Sequence, residues 1–175
     1  MCGIVGYIGD EQAAPILLDG LSKLEYRGYD SAGLCIFSDH HFEIAKAKGR
    51  LAALREITNN GESVPGVIGI GHTRWATHGG PSDRNSHPHL GGKDGRLAVV
   101  HNGIIENYLE LRERLQAHGY EFQSETDTES VAHLIDYLHT GKQEELAQTV
   151  LRAVSMVRGS YALGVVSMDD PEEIV

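Results

Sequence analysis

The cysteine at position 2 is the residue of this sequence best suited to chemistry by its type and position. Removal of the initiator methionine, which the small Cys2 side chain permits, would give Cys2 a free α-amino group. A free thiol has a pKa of about 8.5 and an α-amino group one of about 7.7–8.0, so this amine could accept the thiol proton near neutral pH, directly or through water. Cys2 would then supply both nucleophile and base for amide hydrolysis, whereas a retained Met1 would block the amine. Position alone nevertheless favours a structural role for Cys2.

Histidine is the second residue type that could do chemistry, because the chain contains ten of them. No pair has the helical spacing of a zinc protease, and no cysteine pair accompanies them. The sequence therefore predicts no metal site and no bound cofactor. The histidines considered as ligands are His72, His78, His87, His89 and His101.

The hydrophobic pattern predicts the elements that must position these residues. Apolar runs predict strands at residues 2–8, 32–37, 42–47, 67–72, 97–101 and 161–168. Helical spacing predicts one helix near residues 14–24, one capped by Asn107 with Glu110, one after a Thr126-x-x-Glu129 capping box, and one at 146–157 that Gly159 stops. Without a regular βαβ alternation, antiparallel sheets covered by helices, an α+β fold, are favoured. Residues 73–96 are too polar for a core and predict a functional loop.

Composition limits the classes of function. A net charge of −10 over 175 residues argues against nucleic-acid binding, which needs clustered Lys and Arg. No apolar run reaches the roughly 20 residues of a membrane span, and the start lacks the basic region of a signal peptide, so a cytoplasmic protein is expected. Only Cys2 and Cys35 are available, which argues against a disulfide framework, and Cys35 has the surroundings of a small buried apolar residue.

Five motifs together resemble one family. Residues 2–6 (CGIVG) and 26–33 (YRGYDSAG) resemble the start of class II glutamine amidotransferases, the N-terminal-nucleophile amidohydrolases. Residues 71–79 (GHTRWATHG), 101–107 (HNGIIEN) and 124–129 (SETDTE) follow in the family's order. The resemblance implies an αββα sandwich of two antiparallel sheets between helix layers. It also implies that Cys2 is catalytic.

The YRGYDS and RWATHG forms resemble the isomerising glutamine–fructose-6-phosphate aminotransferase branch, whereas amidophosphoribosyltransferases usually differ at both motifs. The resemblance implies a glutaminase domain over residues 1–175 that is incomplete at its C-terminus. It implies a sugar-phosphate isomerase domain, absent here, through which a homo-oligomeric parent enzyme would take fructose 6-phosphate. Two alternatives stay open: another class II amidotransferase, or an inactive glutamine-binding fragment.

The resemblance also assigns site residues, several of which have a structural alternative. Catalytic roles fall to Cys2, which would form a glutamyl thioester, and to Asn102 and Gly103 as oxyanion donors; Asn-Gly is equally a tight-turn signal after strand 97–101. Substrate-binding roles fall to Arg74 for the α-carboxylate of glutamine and to Asp127 for its ammonium, although an Asp in a first helical turn also stabilises a helix. The loop that would close over glutamine contains Trp75, Thr77 and His78. The residues that would support the nucleophile are Arg27, Tyr29 and Asp30.

Overall fold

The computed structural model describes residues 2–139 and 144–175, so Met1, whose removal is expected, lies outside the described residues, as does the Arg27 side chain. A four-stranded antiparallel sheet has the order β1-β4-β2-β3, and a three-stranded antiparallel sheet has the order β5-β6-β7. The strands are β1 (Gly3–Ile8), β2 (Ser31–Ser38), β3 (His41–Lys48), β4 (Ile68–Arg74), β5 (His89–Gly91), β6 (Leu97–Ile105) and β7 (Gly159–Ser167). The helices are α1 (Ala13–Leu24), α2 (Leu51–Ile57), α3 (Tyr108–Ala117), α4 (Thr128–His139) and α5 (Leu146–Met156), with short 3₁₀ turns at Glu25–Arg27 and Asn59–Gly61.

The described elements stack in four layers. Alternate residues of β2, such as Leu34 and Ile36, pack against α1 and α2, while Cys35 between them faces the second sheet. Leu97 and Val99 of β6 pack against α3, α4 and α5 in the same alternating manner. Successive side chains of a strand point to opposite faces, so each sheet serves two cores. The predicted αββα sandwich of two antiparallel sheets is confirmed.

The same alternation places the chemical residues between the two sheets. On β4, His72 and Arg74 have the parity of Ile70, which packs in the core between the sheets. On β6, Asn102 has the parity of Ala98 and Val100, which face that core from the other side. These residues therefore meet at one end of the sandwich.

Several predictions about local structure are wrong. Asn102-Gly103 is not a turn, because β6 continues to Ile105 and pairs Asn102 with Ala162 of β7. Asn107 does not cap α3 through its side chain, which binds the backbone of Met156 and Arg158 instead. Gly159 does not stop α5, since the helix ends at Met156 and Gly159 begins β7.

The segment between β4 and β6, predicted as a loop too polar for a core, is partly buried and partly regular. It contains β5, and four of its polar side chains are at most 4% exposed. Their hydrogen bonds to other polar groups make that burial tolerable. The four are Asn85, Ser86, His87 and His89. Helix α2 was also not predicted.

The Thr126–Glu129 capping box forms in part. Thr126 Oγ1 accepts the Glu129 N–H at 3.4 Å, but the Glu129 carboxylate binds the N–H groups of Gln123 and Ser124 at 2.6 and 2.7 Å. Burial raises the pKa of Glu129, but the contact with His133, the Ser124 hydroxyl and these two N–H groups outweigh burial and lower the pKa to about 2. Glu129 therefore closes the loop that leads into α4. No helix within 2–139 or 144–175 has the length and apolarity of a membrane span.

Candidate active site

Cys2 precedes β1 and lies against the end of β4. Its Sγ accepts a hydrogen bond from the backbone N–H of Trp75 at 3.2 Å and lies 3.6 Å from the Trp75 carbonyl oxygen. Burial raises the pKa of the Cys2 thiol, and the Trp75 N–H offsets part of that increase. Among the described residues, Sγ has hydrogen-bond contacts only with the Trp75 backbone, so no side chain is placed to accept the thiol proton.

The turn that presents the Trp75 N–H is held by the segment after α1. The Asp30 carboxylate accepts the backbone N–H of Ala76, and the Asp30 N–H donates to the carbonyl of Arg74 at 3.2 Å. A Cβ at Gly28 would lie 2.8 Å from the Arg74 carbonyl carbon, so only glycine permits this approach. Tyr29 contacts Trp75 edge-on at 5.2 Å between ring centroids. Tyr29 and Asp30 thus contact the turn on which the thiol rests.

Asn102 and Gly103 lie on β6, next to Cys2. The Asn102 Nδ2 donates to the Cys2 carbonyl at 3.1 Å, which leaves its second hydrogen for another acceptor. Gly103 has φ of +121°, and a Cβ there would lie 2.1 Å from the Ser160 carbonyl oxygen on β7. The pairing of β6 with β7 therefore already requires glycine at position 103, whether or not a substrate approaches its backbone.

Arg74 ends β4 with a side chain that is only 3% exposed. Its Nη2 donates to the carbonyl oxygens of His78 and Gly79, which fixes the guanidinium plane. Nη1 has no hydrogen-bond partner among the described residues. Because a buried charged donor without a partner is costly, the geometry favours an anionic group of a ligand at Nη1.

Asp127 provides the opposite charge on the other side of the pocket. Its Oδ2 accepts the backbone N–H of Ile105 at 2.9 Å and lies 3.7 Å from Nδ1 of His78. None of its side-chain hydrogen bonds in the described structure goes to the first turn of α4. The carboxylate is therefore held by β6, although Asp127 directly precedes α4, where its charge would also stabilise the helix dipole.

One small pocket, with a cavity volume of about 10 Å³, brings most of the predicted residues together. Trp75 is 48% exposed at its mouth, so Trp75 is not the core residue that a lone tryptophan could suggest. Asn102 and His78 do not line the pocket. Asn102 contacts Cys2, and His78 lies near Asp127. The lining consists of Cys2, Arg74, Trp75, Thr77, His87, His101, Gly103 and Asp127.

His72, His87 and His101, which the sequence suggested only as possible metal ligands, belong to the site. His87 and His101 line the pocket, and the His72 Nε2 lies 2.8 Å from Oδ1 of Asn102. All three are buried, and burial lowers the pKa of each. A histidine inside an apolar strand, as His72 and His101 are, was the available signal. In the described part of the chain, no group of three or more His, Cys, Asp or Glu side chains could hold a metal ion.

Comparison with known families identifies the chain. A family model described as a glutamine amidotransferase domain matches residues 72–174, more than half of the chain. The chain belongs to the glutamine amidotransferase domain family. This assigns the domain to glutamine hydrolysis with donation of ammonia.

Relatives of this glutamine amidotransferase domain align with it over its whole length. The glutamine–fructose-6-phosphate aminotransferase (isomerizing) of Clostridium tetani is 61% identical over all 175 residues, and that of Caldanaerobacter subterraneus is 58% identical. The chain spans 28% of the length of each. The solved glutamine phosphoribosylpyrophosphate amidotransferase of B. subtilis superposes with a TM-score of 0.80 and 29% identity, over 96% of this chain and 35% of that one. The N-terminal-nucleophile type of fold expected from the motifs is confirmed.

Proposed function

We propose that this domain hydrolyses the side-chain amide of glutamine through a thioester on Cys2. The observation that supports this most is the Cys2 thiol, which lines one pocket with Arg74 and Asp127 and forms no hydrogen bond with any described histidine. A cysteine in that setting needs another proton acceptor, and the α-amine of Cys2 itself would be the nearest one once Met1 is removed. The mechanism therefore requires Cys2 to be the first residue of the active protein.

The reaction proceeds in two steps on this geometry. The thiolate attacks the side-chain carbonyl carbon of glutamine, and the tetrahedral oxyanion accepts hydrogen bonds from the free Nδ2 hydrogen of Asn102 and the N–H of Gly103. The C–N bond breaks, and the protonated α-amine of Cys2 returns its proton to the departing ammonia. Water then attacks the glutamyl thioester, which releases glutamate and restores the thiol.

Substrate recognition uses the two charges of the pocket. The α-carboxylate of glutamine would bind the unpartnered Nη1 of Arg74, and its α-ammonium would bind Asp127. Trp75, Thr77 and His78 follow Arg74 without regular secondary structure, and they would close over the bound amino acid. Such closure would exclude water until ammonia has left.

The names of the relatives suggest the acceptor. Both sequence relatives are isomerising glutamine–fructose-6-phosphate aminotransferases, and this chain covers 28% of each. We propose that residues 1–175 act as the glutaminase part of such an enzyme and that the ammonia passes to fructose 6-phosphate bound by a separate isomerase domain. The product would be glucosamine 6-phosphate.

Intact mass and a glutaminase assay on one sample test the proposal. We expect a mass lower by one methionine and release of glutamate from glutamine. Processed protein that binds glutamine without turning it over would contradict hydrolysis by this chain and support the binding-only alternative. Supplying fructose 6-phosphate or phosphoribosyl pyrophosphate to a full-length relative whose N-terminal domain is replaced by this chain would identify the acceptor.

Substituting Arg74 by lysine should mainly raise the KM for glutamine. Lysine keeps the charge, but its single ammonium cannot both bind the carboxylate and hold the His78 and Gly79 carbonyls. Loss of one charged hydrogen bond of about 1.5–3 kcal/mol predicts a KM about 10- to 100-fold higher with kcat changed less than threefold. Steady-state kinetics measure both. Arg84→Lys, an exposed residue outside the pocket, is the control, and an unchanged KM in R74K would remove Arg74 from carboxylate binding.

A further inference from the structure

The Asn102 side chain is held between Cys2 and a buried histidine. Its Nδ2 lies 3.1 Å from the Cys2 carbonyl oxygen, and its Oδ1 lies 2.8 Å from Nε2 of His72. A carbonyl oxygen can only accept hydrogen bonds, so the NH₂ end of the amide must face Cys2. Oδ1 must then face His72, and His72 must donate from Nε2.

The charge of His72 is also determined by its position. The side chain is fully buried on β4, and this burial lowers its pKa to about 3. Its ring stacks on His87 with 4.3 Å between centroids. The imidazole is therefore neutral at any pH at which the domain would work, and it carries a single proton. With that proton on Nδ1, two acceptors, Nε2 and Oδ1, would face each other at 2.8 Å.

We propose that His72 is a positioning residue for catalysis, whose Nε2–H holds the Asn102 amide with its free Nδ2 hydrogen directed to the oxyanion. This inference rests on the proposed function, in which Asn102 is an oxyanion donor. A reversed amide would present Oδ1 to the developing negative charge and replace attraction by repulsion. His72 and Asn102 lie on different sheets. Their contact therefore also fixes the position of the Asn102 amide relative to β4, the strand that ends at Arg74.

The tautomer of His72 can be tested without activity. Nitrogen-15 NMR of the histidine rings in the 175-residue chain should show His72 protonated on Nε2 and unchanged between pH 8 and pH 5.5. A proton on Nδ1, or titration near pH 6.5, would overturn the inference. His133, which accepts the Gly92 N–H at Nδ1 and lies 3.1 Å from the Glu121 carbonyl at Nε2, should show the same tautomer and serves as an internal reference.

Three substitutions then test catalysis. His72→Phe keeps a buried ring but removes the donor, and should lower kcat about 10²-fold, the scale of losing one oxyanion donor, with KM changed less than threefold. His72→Gln places an amide N–H near the position of Nε2 and should recover most of kcat, whereas His72→Asn, whose amide reaches only the Nδ1 position, should not. If H72F does not fold, the difference in kcat between H72Q and H72N still tests whether the Nε2–H of His72 is needed. Equal kcat in H72Q and H72N would contradict a role for Nε2–H.

The control separates positioning from packing. His139→Phe removes another hydrogen-bonded histidine, whose Nδ1 lies 3.1 Å from the Thr149 hydroxyl outside the pocket, and it should leave kcat within twofold. In an Asn102→Ala background, H72F should lower kcat no further, because its effect passes through Asn102. A full additional loss in that background would make the role of His72 merely structural. If Cys2→Ala kept turnover, the proposed function itself would fail, which is a different outcome from a silent H72F in an enzyme that needs Cys2.

Discussion

Replacing Cys2 by alanine should abolish glutamate release and leave glutamine binding intact. The thiol is the atom that attacks the amide, so its loss removes the thioester path and should lower kcat by more than about 10⁴-fold. The groups that would bind the two charged ends of glutamine, Arg74 and Asp127, are held by contacts to His78, Gly79 and Ile105 and not by the thiol. Titration calorimetry should therefore give a Kd for glutamine within about threefold of the parent.

Cys35 provides the matched control for this experiment. It is fully buried between the sheets, and burial raises the pKa of its thiol, so it is unreactive and distant from the pocket. Cys35→Ala should keep kcat and lose about 1 kcal/mol of stability at most, since one small buried group is removed. Turnover retained by C2A, or lost equally by C35A, would contradict the assignment of Cys2 as the nucleophile.

The N-terminal amine can be tested in the same series. A variant from which Met1 cannot be removed keeps the thiol but has no free amine beside it. Because burial raises the pKa of the Cys2 thiol and no described side chain takes its proton, this variant should be nearly as inactive as C2A. Activity at the parent rate would show that another base acts on Cys2.

The layers of the fold could be predicted because strand alternation is a local property. Leu34 and Ile36 face the helices while Cys35 faces the second sheet, as a period of two requires. The same parity places His72 and Arg74 on the inner face once Ile70 is known to lie there. Helix α2 and strand β5 were missed because their sequences, seven and three residues long, are too short for a clear period.

The site could be predicted in its members but not in its contacts. The motifs name Cys2, Arg74 and Asp127, and the structure brings these residues to one pocket, although their roles stay predictions. The bonds that orient them join distant parts of the chain: Asp30 binds the N–H of Ala76, and the Asn102 amide lies between Cys2 and His72. No local pattern encodes such pairs, because each depends on how two sheets pack.

The buried histidines should make the domain sensitive to acid. Burial holds the pKa of His72, His87 and His89 well below the ordinary value, to about 3 for His72, so the folded state keeps these rings neutral. The unfolded chain takes up protons at about pH 6.5, and stability is therefore present above that pH and lost as the pH falls from 6.5 toward 3. Each ring should reduce the free energy of unfolding by about 1.2 kcal/mol between pH 7 and pH 5.5, or about 4 kcal/mol for three. His101, whose pKa burial also lowers, acts in the same direction.

A loss of that size is a large part of the roughly 5–15 kcal/mol that stabilises a typical domain. Urea unfolding at a series of pH values between 7.5 and 5.5 measures it, since the slope of the unfolding free energy with pH counts the protons taken up. His89→Asn should reduce that slope by close to one proton. The hydrogen bond to Glu43 raises the pKa of the exposed His41, so protonation of this residue stabilises the fold as the pH falls, the opposite of the buried rings. A flat profile would mean that the folded state protonates these rings, and with them the imidazole that is proposed to orient Asn102.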